Sequence, residues 1–387
     1  MLKKEEAENP MSRKQYERGI SYDDKRQLYY LYIDYGRDEN GERLRRYRTF
    51  RTLADARKAQ KDILAQKTRA SLIRPSDLTL DEWLARWMDE IVLPNRAETT
   101  AYGYQRIIRN HITPALGRIP LQKLSPRDLQ HYYAELLRTK RLCANTVRRH
   151  HDLLSAALHA AQRMELILRS PTERVEVPRV VQKETHYYTS DTLKRLYQLA
   201  EGSPLEIPIH LAGSLGLRRE EICGLHWESV NFSLHKLHIC TARTTAGGRI
   251  IEKETKNRSS TRTLYLVEDI ERLLRRELLR QRDRRQFLGS AWPDSGLVLV
   301  DQNGVPLSPN VLSVSFTKFI RAHNLPPITL HGLRHTFATV ASAQGAPLFD
   351  IGKALGHSTP ATTGRIYTHL SDQLHADTLD RVAAALK

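Results

Sequence analysis

The sequence predicts an α+β chain of three domains: a three-stranded sheet with one helix over residues 1–75, an all-α domain over 76–178, and a mainly helical domain with a small antiparallel sheet over 179–387. Three observations carry that prediction. At roughly 150 residues per domain, a chain of 387 residues makes two or three cores. Aromatic and β-branched runs with turn residues between them are concentrated near the N-terminus, whereas residues 79–168 show capping residues and apolar side chains at helical spacing. Past residue 230, short β runs reappear between helices.

Element by element, Gln27 to Tyr35 (QLYYLYIDY) reads as a strand, Gly36 to Gly41 as turn chemistry, and Arg43 to Phe50 (RLRRYRTF) as an arginine-rich second strand, with a shorter third strand near Ile20. Thr52 caps a helix from about Leu53 to Ala70, with Ala56, Ile63 and Leu64 as packing positions. A linker with Pro75 follows. Leu80, Trp83, Leu84, Trp87 and Met88 recur at helical spacing, so Thr79 to Leu93 is an amphipathic helix stopped by Pro94, and Thr99 to Ile112 is a second stopped by Pro114. Ser125-Pro126 supplies a cap and first-turn proline for a helix through Leu137, and Asn145 caps another to about Leu168. Ser170 to Glu184 is a linker. Helices at about 189–201, 204–216, 218–226 and 267–286 then enclose β runs at Leu234 to Ala242, Arg249 to Thr255 and Arg262 to Leu266, with Gly247-Gly248 turning between the first two. Residues 297–307 carry a hairpin signal, and helices return after it.

Composition narrows the function. Sixty-one Lys and Arg against 44 Asp and Glu leave +17, spread as +7, +3 and +7 over the three domains, which favours a polyanion touched along the whole chain. No apolar run approaches a membrane span and no apolar leader is present, so a cytoplasmic protein is expected. Cys143, Cys223 and Cys240 show no paired spacing, which argues against a disulfide framework and a cysteine zinc site.

Four fragments in the last domain carry chemistry: GLRREE with Arg218, TKNRSS with Lys256, TLHGLRHTFAT with His331 and Arg334, and LGHS-TPATTGRIYTH with His357 and Tyr367. Singly, each is common: a lone arginine is usually an ion-pair partner and a lone tyrosine usually packs. His331 and His335 sit one helical turn apart, but Arg334 stands where a zinc-binding H-x-x-E-H has its glutamate, so no metal is expected. Together, in this order and spacing, the fragments resemble the tyrosine recombinase (phage integrase) family over most of residues 183–370.

Physical logic agrees with the resemblance. Cleaving a phosphodiester with a side chain needs a nucleophile that survives as an ester, cations for the charged phosphorane, and an acid for the leaving oxygen. Tyr367 is the expected nucleophile, Arg218 and Arg334 the forks for non-bridging oxygens, Lys256 the general acid, His331 a proton-transfer partner and His357 a hydrogen-bond donor to phosphate. Lys253 is the alternative to Lys256. Glu221 is expected to orient an arginine, and His335 to be structural.

The resemblance implies DNA recombination without a cofactor. It makes 76–178 a helical core-binding (SAM-like) domain, 179–387 the catalytic domain, and 1–75 an arm-type DNA-binding domain like those of phage and conjugative-transposon integrases. The partners it implies are double-stranded DNA at core and arm sites, a homotetramer on that DNA, and an excision or DNA-bending accessory protein. Strand alternation puts Tyr30 and Tyr32 on one face, so these two, with Arg45 and Tyr47, are candidate DNA contacts, as are the helix arginines Arg106, Arg148 and Arg149. The tail from Leu374 to Lys387, amphipathic through Leu379, Val382, Ala383 and Leu386, packs either on its own domain or on a neighbour, and Met11 competes with Met1 as the start. Two other functions stay open here: a type IB topoisomerase, against which the basic sheet domain argues, and a DNA-binding regulator without catalysis.

Overall fold

The computed structural model describes residues 14–37, 43–68, 73–180, 186–254 and 261–356. It divides into two compact units between Val181 and Gln182, described separately here.

The first unit holds two separate cores. Near the N-terminus, β1 (Lys14–Glu17), β2 (Ile20–Asp23), β3 (Leu28–Arg37) and β4 (Arg43–Phe50) form an antiparallel sheet in chain order, so the sheet has four strands instead of the expected three. The extra strand exists because Gly19, at φ +85°, turns the chain back tightly enough for Lys14 to pair with Tyr22. Asp23 accepts the amides of Lys25 and Arg26 at 3.0 and 3.1 Å, which closes the next turn. Ile20, Leu31 and Ile33 pack against Ala56 and Ile63 of α1 (Leu53–Thr68). Thr52 caps α1, accepting the Asp55 amide at 3.2 Å. Leu64, expected at a packing position, is exposed, one position round from buried Ile63.

The helical part comprises α2 (Leu80–Trp87), α3 (Leu93–Asn95), α4 (Glu98–Ile107), α5 (Thr113–Leu116), α6 (Pro126–Arg138) and α7 (Ala144–Arg163). Capping boxes at Thr79 with Glu82 and at Ser125 with Asp128 start α2 and α6 as expected. Neither Pro94 nor Pro114 stops its helix. A five-residue π turn precedes each, Met88–Val92 and Ile108–Ile112. Leu93 and Thr113 bond back five residues to Met88 and Ile108, and this wider turn carries the chain past a ring that an α turn would force against a carbonyl. The cap of α7 is Cys143, not Asn145, and α7 ends at Arg163, short of Leu168, because Glu165 takes φ +58°. Trp83 anchors the core, its indole N–H donating to the Ala157 carbonyl at 3.0 Å. The stretch from Ser170 is no free linker at its start: Pro171 and Thr172 are buried, and Gln130 brackets the Glu176 backbone with bonds of 3.0 and 3.3 Å.

In the second unit, α8 (Ser190–Ala200), α9 (Glu206–Leu215), α11 (Glu268–Leu288), α12 (Pro309–Ala322) and α13 (Leu330–Ala343) surround one core with Leu211, Leu217, Ile222, Leu274, Phe316 and Leu333 at its centre. The run expected as one strand at 234–242 breaks at Cys240: β6 (Lys236–Ile239) joins β5 (Val230–Asn231) and β9 (Arg262–Tyr265), whereas β7 (Thr241–Ala246) pairs with β8 (Arg249–Glu254) in a separate sheet. Gly247 and Gly248, both at positive φ, make the expected turn between β7 and β8. The 297–307 signal folds as a turn closed by a single bridge, Val300 to Pro306. Short α10 (Arg219–Cys223) and α14 (Leu348–Leu355) complete the described part. Among the described residues no helix is long and apolar enough to cross a membrane.

Candidate active site

Two glycine-ended helices build the site. α9 ends at Gly216, at φ +65°, where a Cβ would lie 2.6 Å from Leu355 and 2.8 Å from Phe337, so both conformation and space demand glycine. That turn sends Leu217 into the core and sets Arg218 as the cap of α10, half-buried, with 31% of its side chain reached by solvent. α14 ends the same way at Gly356, at φ +65°.

The last carbonyls of α14 are claimed in succession. Arg262 Nε, from β9, donates to the Ala354 carbonyl at 2.6 Å; Arg334 Nη2, from α13, to that of Leu355; Arg218 Nη2 to that of Gly356 at 3.2 Å. A helix C-terminus presents unsatisfied carbonyls and partial negative charge, which is why three cations converge there. Arg334, buried, also donates to the Gly216 carbonyl at 2.6 Å and so joins the two glycine turns.

Behind the arginines lies Glu221. Its carboxylate accepts Arg218 Nη1 at 2.7 Å, the Arg218 amide at 2.9 Å, and Arg262 Nη1 and Nη2 at 3.1 and 2.9 Å. Burial alone would push this carboxyl up, but the bonds and charge of Arg262, with those of Arg218, outweigh it and hold Glu221 below the usual carboxylate range. The expectation that Glu221 orients an arginine holds for two arginines at once.

His331 opens α13, capped by Thr329, which accepts the Gly332 amide at 3.0 Å. Desolvation of its ring, then the charges of Arg334 and Arg218, lower its pKa, with Glu220 pulling the other way; the neutral imidazole is favoured. His335 sits edge-on to it, ring centroids 4.8 Å apart, and is lowered to about 4 by desolvation, His331 and Arg334. Buried Cys223 is pushed up to about 12 by desolvation and stays an inert thiol.

The structure thus brings together Arg218, His331 and Arg334 of the expected set. Lys256, His357 and Tyr367 lie outside the described residues, as do the tail and Met11; the rival Lys253 sits on β8 opposite Ala242. Of the candidate DNA contacts, Tyr30 is corrected: it is only 2% exposed, its ring 5.3 Å from that of Tyr47. Tyr32 is exposed and pairs directly with Tyr47. Arg45 is exposed but shares Asp34 with Arg43, at 3.8 and 3.7 Å. Arg106 on α4 and Arg148 and Arg149 on α7 are exposed. Arg262 was not expected in the site. Its signal was an arginine at the inward parity of β9, where Leu264 also points inward.

Residues 186–374 match the phage integrase family, and residues 79–137 match the phage integrase N-terminal SAM-like domain. The chain belongs to the phage integrase family. It is accordingly an enzyme of the tyrosine recombinase type. Similar family members include a XerC-like tyrosine recombinase of Caldanaerobacter subterraneus subsp. tengcongensis, 24% identical over 89% of this chain and 93% of that one. An integrase of Streptomyces ambofaciens is 26% identical over 90% and 91%. Among solved structures, the Tn1549 transposon integrase in complex with transposon right end DNA aligns at TM-score 0.67 and 20% identity, over 79% of this chain and 99% of that chain. A lambda integrase tetramer bound to a Holliday junction aligns at 0.57 and 18%, over 90% and 94%. These likenesses confirm the predicted α+β fold class, an N-terminal antiparallel sheet followed by mainly helical structure, with four strands in that sheet where three were expected and two small later sheets where one was expected.

Proposed function

We propose that this protein integrates and excises a mobile element by site-specific recombination through a 3′-phosphotyrosyl intermediate. The observation that supports it most is the convergence of Arg218 and Arg334 on the C-terminus of α14, with neutral His331 beside them and His357 following in sequence. Two guanidiniums so placed suit the non-bridging oxygens of a scissile phosphate. Tyr367 attacks phosphorus; the phenolic proton passes to His331, and the 5′ oxygen leaves with a proton from Lys256, while His357 donates to the phosphate. Bond energy is kept in the tyrosyl ester, and the reverse attack by a second strand's 5′ hydroxyl rejoins DNA. Four protomers act on two core sites, a reading supported by the likeness to a lambda integrase tetramer bound to a Holliday junction, with the basic sheet domain engaging arm sites through Tyr32, Arg45 and Tyr47, and Arg106, Arg148 and Arg149 contacting core DNA. An excision or DNA-bending protein sets the direction.

The test is a nicked suicide substrate carrying the element's end, incubated with wild type and with Tyr367→Phe and run on a denaturing gel. Wild type gives a covalent protein–DNA band that persists in EDTA, and Tyr367→Phe gives none. A band that survives Tyr367→Phe overturns the assignment.

A further inference from the structure

We infer that Arg262 is a positioning residue for strand cleavage, acting through Glu221 and the C-terminus of α14 to set Arg218 and the chain that leads into His357. The inference rests on the reading of Arg218 as a phosphate-binding group. Arg262 is buried, and its described bonds run to two partners. Nη1 and Nη2 grip both oxygens of Glu221, and Nε holds the Ala354 carbonyl.

Each of these two partners also holds Arg218. Glu221 takes Arg218 through both its amide and its guanidinium, and the Gly356 carbonyl, two residues on from Ala354, takes its other nitrogen. Arg218 is therefore fixed between a carboxylate and a helix end that are themselves fixed to each other by Arg262. A planar guanidinium supplies this because Nε and the Nη pair point along separate edges; a lysine offers one nitrogen and cannot span both partners. Without Arg262, the Glu221 carboxylate stays buried with Arg218 as its remaining guanidinium partner among those described, and Arg218 is drawn toward it and away from phosphate. The Ala354 carbonyl loses its donor at the same time, so the end of α14, from which the His357 segment departs, loses one of its three guanidinium ties. Small misplacements of this kind cost rate without costing binding, since DNA affinity comes from many phosphate contacts and the chemical step from a few aligned groups.

The experiment measures single-turnover cleavage of the nicked core-site substrate at saturating protein, together with core-site affinity by gel shift and thermal melting, for wild type, Arg262→Gln, Arg262→Lys, Arg218→Lys and the double variants. Arg262→Gln is expected to slow cleavage on the order of a hundredfold with affinity and a cooperative melt retained. Arg262→Lys, which keeps the charge beside Glu221 but not the second grip, is expected to lie between. The deciding readout is coupling: the loss from either Arg262 variant shrinks markedly when Arg218 is already lysine. Fully multiplicative losses, a defect confined to affinity, or wild-type cleavage in Arg262→Gln each overturn the inference. Should Arg262→Gln fail to melt cooperatively, Arg262→Lys carries the same coupling test. Absence of covalent product from wild type is a different failure, of the recombinase reading itself.

Discussion

Two buried polar clusters, one in each unit, solve the same problem in opposite ways. In the helical domain His150 is 1% exposed, accepts or donates with the Tyr132 hydroxyl at 2.8 Å, and lies 5.0 Å from the ring of His111. Desolvation lowers His150 to about 4, with His111 contributing, and lowers His111 as well, with Lys140 and Arg106 adding to it. That cluster stays neutral. Around Glu221, burial is met by pairing instead: three arginines, one carboxylate and three helix-end carbonyls keep their charges inside the protein. A neutral buried network costs little and fixes a core, whereas a charged one is costly to assemble and is retained where charge is needed at a site.

The contrast can be broken by removing one charge. Glu221→Gln removes the carboxylate charge that Glu221 sets against buried Arg262, and unfolding free energy should fall by roughly 3–5 kcal/mol in urea titration, with cleavage lost as well. A change near zero would mean that the cluster is not held by charge.

Acid sharpens the contrast. The unfolded chain takes a proton on a histidine near pH 6.5, whereas folded His150 refuses it until about pH 4, so its contribution is complete above 6.5 and is lost as pH falls from 6.5 to 4. Glu221, a carboxyl held below its ordinary value, runs in the same direction but in a more acid window: its contribution is present above the ordinary carboxylate pKa and is lost as pH falls below it. Urea titrations across this window should show a decline on the order of a few kcal/mol in wild type, and a shallower slope in His150→Gln. Equal slopes would remove His150 from the account.

The smallest expected effect is Tyr132→Phe, which strips the partner from a buried imidazole nitrogen and should cost about 1–3 kcal/mol by the same titration while leaving cleavage at permissive temperature intact. A loss of cleavage out of proportion to stability would contradict the assignment of this cluster to the core alone.

Legibility in the sequence followed the range of the interactions. Thr79, Ser125 and the apolar positions of α2 were readable because a cap and a helical face are settled within one turn. Pro94 and Pro114 misled because a π turn upstream, which no residue pattern announced, carried the chain past each ring. Alternation placed Tyr30 and Tyr32 together on one face of β3, where both rings lie near Tyr47, yet gave no hint that the first is covered and the second open. In the site, the motif residues Arg218, His331 and Arg334 were legible through the family resemblance of their fragments, and Glu221 from its position three residues after Arg218. What Arg262 and the end of α14 do was not, since those contacts join residues 41 and 92 positions apart.

The most direct measurement isolates the covalent complex formed on a nicked core-site oligonucleotide, digests protein and DNA, and locates the nucleotide remnant by mass spectrometry. The account predicts a single modified peptide bearing the remnant on Tyr367, joined to a 3′ phosphate. A remnant on any other residue, or a 5′ linkage, would contradict it.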